Sequence, residues 1–222
     1  MISSEPDPER STPQQPTSQR PQISISWTPA AKAEYSRLGT DAVPASPTRA
    51  ALNALAKRAI FQTLQDAPPK MEALANLENP AFSLDVSFVG DSEIQELNSQ
   101  HRGKNKPTDV LSFSQLEGEW MPFGEFEKGE EILLGDLIIS IETAVRQAAE
   151  LKHDLTHEIA FLAAHGVLHL IGYDHDTASR RRAMFALQDE IVATLESAPK
   201  VTKETSVKTR KTTSQKTSVA AA

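Results

Sequence analysis

Residues 155–175 read LTHEIAFLAAHGVLHLIGYDH, and three of the chain's six histidines fall in the last eleven positions. Leu155, Ile159, Leu162 and Leu170 recur near helical spacing and predict a helix over 155–170. On such a helix, at 100° per residue, His165 and His169 lie about 40° apart on one face and one turn apart along the axis. Gly172 permits the positive-φ conformation that ends a helix and reverses the chain, so His175 can swing back toward the pair. Three neutral imidazole nitrogens leave one position of a tetrahedral zinc ion open, which is the pattern of a catalytic rather than a closed structural site. Water in that position ionises at roughly pH 7. Imidazole also suits copper, nickel and iron, so zinc is the favoured ion without being the only candidate.

The spacing matches that of the metzincin peptidases, with one break. The residue after the first histidine is Gly166, where those enzymes keep the glutamate that activates water. The ligand spacing therefore points to a metal and residue 166 to a different reaction. His153 and His157 repeat the i, i+4 spacing, but nothing third converges with them, and a solvated or capping role is expected there. Asp174 and Asp176 read equally well as groups that orient the imidazoles and as turn and cap residues.

Outward from this stretch the chain reads as one α/β domain of α+β type, with a small mixed sheet packed against several helices. Strands are expected at 23–27, 81–89, 109–113 and 132–140. In AFSLDVSFV (81–89) the alternation puts Phe82, Leu84, Val86 and Phe88 on one face. Helices are expected at 48–65, at 92–100 capped by Asp91-Ser92, at 141–151, and from Asp176-Thr177 to about Glu196, the last with Met184, Leu187, Ile191 and Leu195 along a stripe. GEWMPFGEFEKG (118–129) reads as a mobile loop.

Residues 1–22 hold five Pro, six Ser or Thr and four Gln, and read as a disordered tail. Residues 199–222 read as a flexible basic tail carrying five Lys and one Arg against one Glu. The catalytic domain is thus expected over 23–198. The whole chain of 222 residues has net charge −7, so residues 1–198 carry −12. With no cysteine, disulfide scaffolds, thiolate metal sites and thiol nucleophiles are excluded. No apolar run approaches the roughly 20 residues that span a bilayer, and no secretory signal is readable. A soluble cytoplasmic protein is expected, with no membrane partner.

A second informative stretch is LNSQHRGKNKPTDVLSF (97–113). Arg102, Lys104 and Lys106 form a compact basic loop in an otherwise acidic body. A guanidinium holds two phosphate oxygens at once, so Arg102 is the better candidate for stabilising charge. His101 beside it is expected to be solvent-exposed.

Together, HGVLHLIGYDH, LNSQHRGKNKPTDVLSF and LLGDLIIS (133–140) resemble the YbeY family of bacterial metal-dependent endoribonucleases, over about residues 82–196. The resemblance implies one zinc ion bound by His165, His169 and His175, with Arg102 and the ligand His165 as catalytic residues. It also implies cleavage of single-stranded RNA in maturation of the 3′ end of 16S ribosomal RNA, with contacts to the small ribosomal subunit and its assembly factors. Both tails depart from the family pattern, and no role carries over to Glu117, Glu119 or Glu125 in the variable stretch. Two other readings stay open: a zinc peptidase of unusual type, opposed by Gly166, and a non-catalytic ribosome assembly factor with a structural metal. The acidic total argues for unpaired RNA in a cleft rather than a duplex on a basic face.

Overall fold

Apolar side chains alternating along AFSLDVSFV make a strand that buries one face completely, and the sheet is built around it. In the computed structural model, which describes residues 20–41, 47–75, 77, 80–117, 126 and 130–197, four strands and seven helices follow in order. They are β1 (Gln22–Trp27), α1 (Pro29–Asp41), α2 (Arg49–Asp66), α3 (Glu72–Ala75), β2 (Ala81–Val89) and α4 (Asp91–Arg102). After these come β3 (Val110–Ser114), β4 (Glu131–Ser140), α5 (Ile141–Leu151), α6 (Leu155–Leu170) and α7 (Ala178–Ser197). The sheet order is β1-β2-β4-β3, with β1, β2 and β4 parallel and β3 antiparallel at one edge. The expected small mixed sheet under several helices is what forms.

Phe82, Leu84, Val86 and Phe88 all face the main core. There they meet Leu134, Leu137 and Ile139 of β4 and the buried side chains of α2, α6 and α7. A smaller core lies under α4, where Ile94 packs with Val89 and Leu111. Helix α6 packs against α2, α5, α7, β3 and β4. Ten of its 16 residues are buried, including Ile159, Leu162, Val167, Leu168 and Leu170. Each such large side chain contributes about 1.5–3 kcal/mol on burial. The helix bearing the histidines is therefore the central post of the fold.

Several local features differ from expectation. The 92–100 helix begins one residue earlier and its N-cap is Gly90, whose N–H is taken by Glu93 Oε2 at 2.8 Å. The Asp91 carboxylate is drawn away to α5, accepting from Ser140 Oγ (2.6 Å), Thr143 Oγ1 (2.7 Å) and Arg146 Nη1 (2.6 Å). Burial alone pushes its pKa up, but those hydrogen bonds outweigh it and hold the carboxyl below its usual range. Helix α1 lies outside the expected elements. It carries little apolar pattern, burying Ala31 and Tyr35. Its signal is only at its start, where Thr28 Oγ1 accepts from Ala31 N–H at 3.2 Å and Pro29 takes the first position. Residue 109 precedes β3 rather than opening it.

The expected tail over 1–22 lies outside the described residues apart from Arg20, Pro21 and Gln22, the last of which already belongs to β1. The tail over 199–222 lies outside them entirely. So does the expected loop over 118–129, except Phe126, which packs against the main core. Among the described residues no helix is long and apolar enough to cross a membrane.

Candidate active site

The end of α6 makes the site. Its last turn closes through Ile171 N–H to Val167 O, and the chain then reverses through Gly172, whose N–H bonds to His169 O and whose φ is 93°. A Cβ at Gly172 would also lie 2.6 Å from Met71 Cγ, so both conformation and space require glycine. Past this reversal, the His175 N–H donates to Asp174 Oδ1 at 2.7 Å, which fixes the returning segment of chain.

The three histidines converge as their spacing predicts. One ring nitrogen from each of His165, His169 and His175 lies within 4.8 Å of the other two. The Nε2 atoms of His165 and His169 are 3.2 Å apart. Two imidazole nitrogens on one tetrahedral zinc ion, each at 2.0–2.1 Å, would stand about 3.3 Å apart. The pair is thus already set at the spacing a shared cation needs.

Their protonation states fit as well. Gln188 of α7 is fully buried, and its Nε2 donates to Phe161 O at 3.0 Å. That bond leaves Oε1 facing His165 Nδ1 at 3.1 Å. A carbonyl oxygen there selects the tautomer with hydrogen on Nδ1 and a lone pair on Nε2. Burial is the main cause that lowers the His165 pKa, with Gln188 working against it. Burial, reinforced by His165 and His175, takes His169 down to about 4, against an opposing hydrogen bond to the Tyr173 main chain. Both rings are neutral at neutral pH, as metal ligands must be.

A cleft of about 320 Å³ opens over the three rings. Arg102, the last residue of α4, lines it together with Asp109, Ser112, Phe161 and Phe185. Gly103, with φ 66°, ends α4, and Asn98 Nδ2 donates to Lys106 O at 2.8 Å, so the basic loop has a defined course. That course separates its cations. Arg102 reaches the cleft, whereas Lys104 and Lys106 are exposed and do not line it. His101 is exposed too, its ring 4.9 Å from that of Phe113.

Gly166 faces the sheet. A Cβ there would lie 2.0 Å from Cδ1 of Leu137, a fully buried residue of β4, and 3.1 Å from Ser112 Oγ. The position where a metzincin carries its glutamate is occupied here by the helix–sheet contact. Asp174 and Asp176 serve the turn and the start of α7: Asp174 accepts the His175 N–H, and Asp176 pairs with Arg180 at 3.1 Å. The imidazole is oriented instead by Gln188.

Sequence pattern does not single out Asp109, Ser112, Phe161, Phe185 or Gln188. Two of these leave a signal. Phe161 stands one turn before His165 on the same face, and Gln188 is a polar residue at i+4 from Met184 within an apolar stripe. Asp109 is fixed by Val110 N–H and Thr108 Oγ1 on one oxygen and Gln147 Nε2 on the other. Its approach to the cleft depends on the sheet edge and leaves no local trace.

The family model described as Endoribonuclease YbeY matches residues 48–196. This chain belongs to the YbeY endoribonuclease family. The YbeY endoribonuclease of Symbiobacterium thermophilum is 51% identical over 113 residues, covering 51% of this chain and 71% of the relative. That of Moorella thermoacetica is 49% identical over 125 residues, covering 55% of this chain and 80% of the relative. The solution structure of TM1509 from Thermotoga maritima covers 79% of this chain and 88% of its own, at 22% identity and a TM-score of 0.42. YbeY endoribonucleases are hydrolases that act on RNA, and the histidine cleft lies wholly inside the matched segment of this family member.

Proposed function

We propose that this chain is a single-strand-specific, zinc-dependent endoribonuclease that works in maturation of the 3′ end of 16S ribosomal RNA. His165, His169 and His175 would hold one zinc ion, and residues 23–198 form the catalytic domain. The observation that carries the reading is the convergence of three histidines, two of them held neutral, beside a guanidinium in one cleft. A divalent ion in that position supplies Lewis acidity toward a phosphoryl oxygen or a water.

The chain's own residues do the rest. Arg102 holds the non-bridging oxygens of the scissile phosphate and stabilises the charge that grows on them, usually the main source of rate enhancement in such reactions. Gln188 keeps the His165 lone pair aimed at the cation. Phe161 and Phe185 give the cleft an apolar wall against which an unpaired base can stack, which favours single strands over a closed duplex. The small ribosomal subunit and its assembly factors are the partners this role requires, and the cytoplasm is its place.

Replacing Arg102 with Ala tests the assignment. Arg102 is exposed and lies outside both apolar cores, so the variant keeps its fold. Cleavage of single-stranded RNA should fall at least about 100-fold, the usual scale for removing a group that stabilises transition-state charge, with metal content unchanged. Full cleavage by Arg102→Ala would remove the arginine from the mechanism. Retained RNA binding without cleavage in the native protein would favour the non-catalytic assembly-factor reading instead.

A further inference from the structure

The chain carries a second, larger concavity that shares no residue with the histidine cleft. It measures about 480 Å³ and is lined by Arg20, Lys57, Arg58, Phe61, Gln62 and Leu195 among others. Phe185 belongs to the histidine cleft and Leu195 to this pocket, ten residues apart on α7. At 1.5 Å per residue the two sites are offset by about 15 Å along that helix.

Helical spacing explains the cluster. Lys57 and Arg58 precede Phe61 by four and three residues, so all three share one face of α2. The residues leading into β1 bring Arg20 alongside, and the end of α7 closes the pocket at Leu195. Among the described residues no carboxylate lines it. Among those residues, too, none of the three cations has an ion-pair partner. Arg58 Nη2 donates to Leu195 O at 3.3 Å, which leaves most of its five N–H donors unused. A merely solvated helix face in so acidic a chain would be expected to place acids three or four residues from Lys57 and Arg58. Those positions hold Asn53, Ala54, Leu55, Ile60, Phe61 and Gln62, all uncharged.

We propose that this pocket is a second binding site for single-stranded RNA, away from the cleavage site. Arg20, Lys57 and Arg58 take backbone phosphates, and the half-buried Phe61 ring takes the face of an unpaired base. A strand of several nucleotides then touches both sites at once, which gives an acidic protein purchase on a polyanion without an overall positive field. This second site rests on the endoribonuclease reading and extends it to how the substrate is held.

The test uses the full metal-loaded chain and a fluorescent 2′-O-methyl oligouridine, titrated at several salt concentrations. In the K57Q/R58Q double variant the affinity should fall several-fold, and the slope of log K against log salt should flatten by about 1.4, two phosphates at roughly 0.7 each. Phe61→Leu should weaken binding by at least about fivefold with the slope unchanged. On unmodified single-stranded RNA, K57Q/R58Q should raise KM and leave kcat as it was. Lys57→Gln alone, at an exposed position, guards against misfolding and should show about half the change in slope. Equal affinity and equal slope in the native protein and these variants would overturn the second site. No cleavage of unmodified RNA by the native protein would instead sink the endoribonuclease reading.

Discussion

Two histidine pairs with the same i, i+4 spacing lie twelve residues apart, and the fold treats them oppositely. His165 and His169 sit where α6 is clamped to the sheet, next to a chain reversal that returns a third ring. His153, in the turn before α6, and His157, in its first turn, have their rings 4.5 Å apart, and each meets a carboxyl group instead. His153 Nε2 is 3.1 Å from Glu158 Oε2, and His157 Nδ1 is 2.7 Å from Glu196 Oε1. The first pair is buried among other imidazoles, which favours the neutral rings a metal needs, whereas each ring of the second is engaged by a carboxyl group. Spacing alone therefore proposes a pair, and the surrounding charges decide what the pair does.

The largest effect is expected where the first pair is clamped. Gly166→Glu places a carboxylate against Leu137 in the helix–sheet contact, and should cost about 3–5 kcal/mol of stability in a denaturant titration. A variant as stable as the native chain would mean that the contact yields more easily than its geometry says. It would also reopen the peptidase comparison.

Glu158 ranks next. It is buried, and burial chiefly, with the Asp109 carboxylate adding and His157 opposing, raises its pKa to about 7 from the usual 4.5. An acid whose folded-state pKa is raised favours the fold at low pH, and that contribution is lost as pH rises through the folded value. Relative to Glu158→Gln, the native chain should therefore lose up to about 3 kcal/mol between roughly pH 4.5 and 8. A constant difference across that range would mean that the carboxyl ionises in the fold as it does in the unfolded chain.

Gln188→Leu removes the group that fixes the His165 tautomer at similar volume. Metal affinity, measured by competition with a chelator, should drop about 10-fold to 100-fold. Unchanged affinity would show that packing alone orients the ring. The smallest effect belongs to the second pair: His157→Ala removes a part-exposed contact to Glu196 and should cost under about 1 kcal/mol, with metal content intact.

The sheet and the histidine helix are legible in the sequence because their information is local. Period-two alternation in 81–89 and helical recurrence in 155–170 each specify which side is buried, and His165, His169, Gly172 and His175 lie within one continuous stretch. Arg102 is readable as a cation suited to phosphate, but its separation from Lys104 and Lys106 comes from the left-handed turn at Gly103 and the Asn98 bond to Lys106. Helix α1 leaves no apolar periodicity because it buries little, Gln188 leaves only a polar break in an apolar stripe, and Asp109 leaves no trace because it meets the site from the sheet edge. The opposite fates of the two histidine pairs depend on Glu196, 39 residues beyond His157, and on the buried state of Glu158.

Metal content per chain, measured by mass spectrometry on the native protein, His169→Ala and His157→Ala purified side by side, tests the shared cation most directly. About one ion is expected in the native protein and in His157→Ala, and almost none in His169→Ala. Equal metal in all three, or loss in His157→Ala alone, would contradict a cation held by His165, His169 and His175.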